Sequence, residues 1–267
     1  MNESYLIVIP ARGRSKRLRN KNIRLFSGKP LLAWTIELAL KLPGKHNVVV
    51  STEDKAIAKI AKKSGVKRYI FNSTCAVYGY NKKIVSENSR TNPLSTYAKA
   101  NLKAERAIYE MKNRNFKVNI LRNSTLFGFS QNLRLDLVIN IFVNSYIKNG
   151  KISVNGDGKQ WRPFISLTDV GKIYQLLIST DSYPSFITNL VAFNSTIRDL
   201  AFKIIKYFKG STDQIEFISN NKDNRNYRTK SNNLNKYFKN LKFSNFNCEI
   251  DQLIRGIKKY KIKSNLS

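Results

Sequence analysis

The sequence has little of the chemistry that most hydrolytic and metal enzymes use. Two cysteines, Cys75 and Cys248, in 267 residues cannot frame a disulfide-stapled fold. A single histidine, His46, leaves no HExxH motif and no Cys/His zinc cluster, and it allows a Ser-His-Asp triad only if His46 itself serves. No metal site is expected from these spacings. Acid is scarce too: 17 Asp and Glu stand against 48 Lys and Arg, for a formal charge of +31. No apolar run approaches the roughly 20 residues that a membrane helix needs, so no membrane partner is expected. The opening MNESYLIVIPARGRSKR places its charges after a short apolar stretch, the reverse of a secretory leader, and with so few cysteines the expected compartment is the cytoplasm. Finally, no GxGxxG or GxxGxxG occurs among the 12 glycines, which removes the usual glycine turn for a dinucleotide.

What is present is an ordinary globular composition, 42% hydrophobic and 11% aromatic. The basic excess is spread along solvated helix faces, as at Lys99, Lys103 and Lys112, and reads first as solubility. A phosphate-bearing substrate is the next reading. No nucleic-acid reading module accompanies the charge, which argues against a nucleic-acid partner.

Strands and helices alternate almost from the first residue. Tyr5 to Ile9 is a short apolar strand running into a basic loop. Pro30 suits the first turn of a helix carrying Leu31, Leu32, Trp34, Ile36 and Leu40. Asn47 to Val50 is a strand, after which Ser51 or Thr52 caps a helix with Glu53 and Asp54 in its first turn. Further strands lie at Tyr69 to Asn72 and Val118 to Leu121, with a long helix from Asn92-Pro93 to about Lys112 between them. Leu135 to Ile147 reads as a helix ended by Asn149-Gly150, and Thr168 as the cap of another. This order argues for an α/β fold with a mostly parallel sheet covered by helices.

Two stretches carry family resemblances. Residues 5–66, with IPARGRSKRLRNKNIRLFSGKPLLAWTIELAL and the later VVVSTEDKAIAKIAKKSG, resemble the start of an acylneuraminate cytidylyltransferase, the type that makes CMP-sialic acid from CTP. The resemblance implies that Arg12, Ser15, Lys16 and Lys21 contact the base and phosphates, with Mg²⁺ as the metal of that chemistry. Arg14 stands where that family usually has a second glycine, and the family's sugar-binding segment and metal-holding aspartates do not follow.

From about residue 65 to 261 the chain resembles the later part of an extended short-chain dehydrogenase, of the nucleotide-sugar epimerase/dehydratase type. The matching segments are GVKRYIFNSTCAVYG, SENSRTNPLSTYAKANLKAE, ILRNSTLFGFS, GKISVNGDGKQWRPFISLTDVGKI, STIRDLAFKII and DNRNYRTKSNNL. This resemblance implies a Rossmann-like sheet with helices on both faces, a small α/β C-terminal substrate-binding region, NAD as hydride carrier and a nucleotide sugar as partner. It makes Tyr97 the base and Thr74 its hydroxyl partner, and it puts Thr125, Arg162 and Arg225 on the substrate. A tyrosine, with a pKa near 10, works as a base only when a neighbouring cation lowers that value. The family does this with a lysine four residues on, also its ribose anchor for NAD; here that position holds Asn101, which brings no charge. Four residues advance a helix by about 400°, whereas Lys99 and Lys103 lie about 200° and 240° from Tyr97, on other faces. With the glycine turn also missing, impaired redox catalysis is expected. The family often dimerises through the helix that carries Tyr97, so a homodimer is among the expectations. Cytidylyl transfer, or a non-enzymatic binding role left by a fusion of two ancestors, are the alternatives.

Overall fold

The first strand pairs in parallel with the fourth, Ser4 opposite Lys45 and Pro10 opposite Ser51. The computed structural model describes residues 4–11, 13, 20–41, 45–52, 54–131, 133–179, 182–218 and 225–264. Along the chain these form β1 (Ser4–Pro10), β2 (Leu25–Phe26), β3 (Lys29–Pro30), α1 (Leu31–Lys41), β4 (Lys45–Ser51), α2 (Lys55–Lys63), β5 (Arg68–Thr74), β6 (Ile84–Val85), α3 (Thr96–Tyr109), β7 (Lys117–Asn123) and β8 (Thr125–Phe127). Then come α4 (Val138–Asn149), β9 (Ile152–Asn155), β10 (Trp161–Ser166), α5 (Leu167–Ser179), β11 (Phe186–Leu190), β12 (Phe193–Thr196), α6 (Ile197–Tyr207), β13 (Ile215–Ile218), β14 (Arg228–Thr229), α7 (Asn232–Tyr237) and α8 (Phe246–Ser264). They fall into two compact units. One is Met1–Ser73, Lys99–Leu121 and Leu177–Thr188; the other is Thr74–Ala98, Arg122–Leu176 and Asn189–Ser267.

The first unit holds the β1–β4 pair and most of a second sheet in the order β11–β7–β5. Its helices follow from apolar spacing. α1 buries Leu32, Ala33, Ile36 and Ala39, and α2 buries Ile57, Ala58 and Ala61. Ile36 and Ile57 have no exposed surface, and burying each such side chain contributes about 1.5–3 kcal/mol. Two starts differ from expectation. Pro30 belongs to the β2–β3 hairpin opposite Leu25, so α1 begins one residue later. Asp54, not Ser51 or Thr52, caps α2: its Oδ1 accepts from Ala56 N at 2.8 Å, and its own N–H is taken by Thr52 Oγ1 at 3.1 Å.

In the second unit β10 is central, parallel to β8 and antiparallel to β12. β9 runs parallel to β13, and β6 parallel to β14. The core joins Phe127, Phe142, Phe164, Leu200, Ile204, Ile250 and Leu253, drawn from β8, α4, β10, α6 and α8. Ser166 rather than Thr168 receives the first-turn N–H of α5, from Asp169 at 3.0 Å. α4 starts at Val138 and ends on Gly150 in the left-handed region, φ 65°. Among the described residues no helix is long and apolar enough to cross a membrane.

Candidate functional site

Thr74 closes β5. Its backbone is still extended, at φ −139° and ψ 142°, and its Oγ1 accepts from Ala76 N at 3.1 Å, which starts the 3₁₀ turn Cys75–Tyr78. A hydroxyl that accepts an N–H keeps its own proton to give away. The turn ends at Gly79, φ 65°, where an added Cβ would lie 2.0 Å from Asn92 O, so only glycine fits. Cys75 is fully buried and its thiol donates to Arg122 O at 3.0 Å, the setting of an inert packing residue.

Behind this turn lies a buried polar network that sequence spacing did not reveal. Tyr78 OH accepts from Arg122 Nη1 at 2.8 Å and donates to Asn189 Oδ1 at 2.8 Å. Burial pushes the Tyr78 phenol well above the ordinary tyrosine range, against the pull of the Arg122 guanidinium. Asn189 also donates its Nδ2 to Lys230 O at 2.9 Å and its backbone N–H to Glu87 Oε1 at 2.9 Å. Glu87 in turn accepts from Ser231 Oγ at 2.5 Å and Asn232 N at 3.0 Å, where α7 begins. The turn after Thr74 is thus tied to the 225–232 segment. The partners lie 41 to 145 positions apart, beyond any local pattern.

Tyr97 sits in the first turn of α3, whose N-cap is Ser95, accepting from Ala98 N at 3.1 Å. It is 63% exposed, and it lies in the second unit with Thr74. Asn101 follows one turn on, half-buried, while Lys99 and Lys103 are exposed. Arg134, absent from the sequence reading, is exposed and is held above the ordinary arginine range chiefly by its hydrogen bond to Asp136, Nε to Oδ1 at 2.8 Å.

Arg162 and Arg225 are brought together. The buried Arg162 donates Nη1 to Trp161 O at 2.7 Å and to Arg225 O, and its guanidinium lies 5.6 Å from the Tyr227 ring. Arg228 lies 5.0 Å over Trp161 and donates to Lys82 O at 3.0 Å. Trp161 N donates to Asn226 Oδ1 at 2.9 Å, clamping the 225–229 segment to the start of β10. Thr125 faces Phe164 across the β8–β10 register, so it shares a sheet face with Arg162 two residues along. The result is two arginine–aromatic contacts, Arg162 with Tyr227 and Arg228 with Trp161, joined through the Arg225 backbone; Trp161, Tyr227 and Arg228 were not singled out from sequence.

In the first unit, Lys21 is exposed in the 3₁₀ turn Lys21–Ile23. Arg12, Ser15 and Lys16 lie outside the described residues. Gly13 packs against the cap of α2: a Cβ there would lie 2.0 Å from Asp54 Oδ2. Among the described residues no three His, Cys, Asp or Glu side chains converge as a metal site.

A mainly parallel sheet, a hydroxyl at a strand end and a tyrosine opening the next long helix define the class of dehydrogenase-like α/β proteins. More narrowly, the chain belongs to the NAD dependent epimerase/dehydratase family, which it matches over residues 45–187, more than half its length. Residues 6–77 match the cytidylyltransferase family, so the chain is composite and the two matches overlap at 45–77. It is 31% identical over 156 residues to a putative UDP-glucose 4-epimerase of Methanocaldococcus jannaschii, covering 57% of this chain and 50% of that protein. It is 53% identical over 60 residues to the CMP-N,N'-diacetyllegionaminic acid synthase of Legionella pneumophila, covering 22% of this chain and 26% of that one. The chain therefore spans half or less of these curated relatives. In fold it is similar to a UDP-glucose 4-epimerase of Thermotoga maritima solved with UDP-glucose, with a TM-score of 0.73 at 15% identity over 97% of this chain and 99% of that one.

Proposed function

We propose that the chain binds the diphosphate of a nucleotide sugar at the Arg162–Arg225–Arg228 cluster and does not run the redox cycle of its family at a useful rate. The observation that carries this reading is the cluster itself. Guanidinium groups suit the bidentate geometry of phosphate, and Trp161 and Tyr227 offer ring faces beside them. Thr125, on the same sheet face as Arg162, is the further substrate contact. Thr74 gives its free hydroxyl proton to a sugar oxygen, since its lone pair is engaged by Ala76 N. In this reading Tyr97 is the residue that takes a proton, with Asn101 in the lysine position.

Among the described residues, Gly13 and Asp54 do not fit the pyrophosphate of NAD. A dinucleotide pyrophosphate needs backbone N–H groups that approach closely through glycine, and anionic side chains kept away. At Gly13, after β1, the close approach is taken by the Asp54 carboxylate, which repels phosphate.

The test is calorimetric titration of UDP-glucose, dTDP-glucose and UDP into the intact chain. Arg225→Ala, at an exposed position whose backbone carbonyl, kept in the variant, accepts from Arg162, is expected to weaken the nucleotide about tenfold or more and leave folding intact. No heat with any nucleoside diphosphate at millimolar concentration ends the proposal. The match over residues 6–77 supports a second reading, in which Arg12, Ser15, Lys16 and Lys21 hold CTP. That reading requires Mg²⁺-dependent release of pyrophosphate from CTP in the presence of a nonulosonic acid, and absence of release removes it.

A further inference from the structure

The basic excess of the chain is unevenly spread. Residues 59–68 and 110–117 hold eight Lys and Arg against one acid, Glu110, a charge of +7 in 18 residues. At the average density of +31 in 267, the same length would carry about +2. The fold gathers both stretches at one end of the first unit. α2 and α3 share a core with β5 and β7 through Ala58, Ile108, Tyr69 and Val118. The last turns of the two helices therefore lie together beyond the first residues of the two strands. Lys62 Nζ donates to Met111 O at 2.7 Å, and Lys117 N donates to Lys67 O at 2.8 Å. Arg68 is braced inward, with Nη1 donating to Asn119 Oδ1 at 2.6 Å. Lys59, Lys63, Lys67, Lys112 and Arg114 are left exposed, and none of the five is in a salt bridge.

We propose that this end of the first unit rests on the anionic headgroups of a membrane surface. The kind of charge and what accompanies it select the partner. A partner protein would need apolar anchors at the centre of its footprint, and none of the exposed large hydrophobic side chains lies in these two stretches. A single-stranded nucleic acid would need exposed rings to stack on, and there are none here either. Duplex phosphates are positioned by backbone N–H groups, helix N-termini and arginine forks. Here both helices present their C-terminal ends, whose carbonyls repel phosphate, and six of the eight cations are lysines. A headgroup layer asks for less. Its diffuse potential attracts every flexible lysine within a Debye length, in no fixed geometry, at about fivefold in affinity per charge. No helix among the described residues crosses a bilayer, so the contact stays at the surface and depends on charge alone. None of these residues belongs to the nucleotide cluster, and the proposal does not depend on the function argued above.

Co-sedimentation of the intact chain with large vesicles tests it. Binding is expected to vesicles of about 30% phosphatidylglycerol in phosphatidylcholine at 0.05 M salt, with a loss of at least about tenfold at 0.5 M and none bound to phosphatidylcholine alone. Lys63→Gln, Lys67→Gln, Lys112→Gln and Arg114→Gln together, all at exposed positions, lower the partition at least about tenfold. Lys67→Gln with Arg114→Gln, both outside the helices, lowers it at least about fivefold. The comparison that separates the patch from net charge removes four exposed lysines of the second unit instead. Lys148→Gln, Lys206→Gln, Lys239→Gln and Lys258→Gln together change the partition less than about twofold. Absence of binding to the anionic vesicles at 0.05 M salt overturns the proposal. So do equal losses in the two quadruple variants. Tighter binding of a duplex DNA of about 20 base pairs than of the vesicles, through the same four side chains, overturns it in favour of a nucleic acid.

Discussion

Tyr78→Phe removes one oxygen and probes the whole wall behind Thr74. That oxygen accepts from Arg122 Nη1 and donates to Asn189 Oδ1, both at 2.8 Å, and Tyr78, Arg122 and Asn189 are all buried. Phenylalanine fills the same space, so no cavity term enters. What remains is one guanidinium N–H and one amide oxygen stripped of a partner, each worth about 1–3 kcal/mol, for a loss of about 2–4 kcal/mol at pH 7. The pH dependence gives a second signature. The folded phenol holds its proton to a higher pH than the unfolded one, so the unfolded state releases it first. Stability from this group is fully present below the unfolded value near 10 and declines as pH rises above it, by at most about 1.4 kcal/mol per unit. The phenylalanine variant has no such proton, so the gap between the two proteins narrows above pH 10. Urea unfolding at pH 7, 9.5 and 10.5, followed by far-UV circular dichroism, measures both effects. Equal stabilities at pH 7, or a gap that stays constant into the alkaline range, refute the reasoning.

Glu87→Ala deprives Asn189 N, Asn232 N and Ser231 Oγ of one shared acceptor and costs about 2–4 kcal/mol; hydrogen exchange at the Asn189 and Asn232 amides accelerates more than elsewhere, and unchanged exchange there contradicts the network. Gly128→Ala forces a side chain into φ 108° with its Cβ 3.1 Å from Glu249 Oε2, for about 1–3 kcal/mol; a Tm within roughly 1 °C of the parent speaks against it. Asn101→Lys restores the charge the family places beside its tyrosine yet leaves NAD weaker than about 1 mM by calorimetry, because Asp54 against Gly13 is unchanged; tight NAD binding by the variant makes the lysine, not the cradle, the limiting part.

How much could be read in advance depended on how local each cause is. The α/β order was legible because apolar spacing, caps and glycine stops act within a few residues: Gly150 ends α4 as its position implies, and α2 buries Ile57 and Ala61. Helix starts were less so, since Thr52 and Asp54 are both good caps, and the choice fell to the one whose carboxylate reaches two N–H groups, Ala56 and Ile57. The apolar positions of α1 did not by themselves say which face is covered: Leu32 and Ile36 enter the core while Trp34 and Leu40 stay out, because a helix on one side of a two-stranded sheet has a single covered face. Thr74, Tyr97, Arg162 and Arg225 stood in recognisable motifs. Tyr78, Arg122 and Asn189 did not announce their partnership, since strand ends far apart in sequence bring them together.

The overlap of the two family matches at residues 45–77 explains how a composite chain folds even where, on the proposal above, its cofactor chemistry does not carry over. Everything the overlap must supply is local. α2 needs an apolar stripe, and has Ile57, Ala58 and Ala61. It needs a stop, and Gly65 provides one at φ 89°, with Gly65 N donating to Lys62 O at 3.2 Å and Val66 N to Ala61 O at 3.1 Å. β5 then needs alternating inward residues, and Tyr69, Phe71 and Ser73 comply. Any ancestor with strand, helix, glycine and strand in this order satisfies those conditions, so the join is neutral for folding. A dinucleotide cradle is not local in that sense: it requires the turn after β1 and the start of the next helix to present N–H groups to the same phosphate. Here the residue that caps α2 so well, Asp54, directs its second carboxylate oxygen at Gly13. On the proposal above, the interaction that stabilises the join thus places negative charge beside Gly13, where a dinucleotide phosphate would need none.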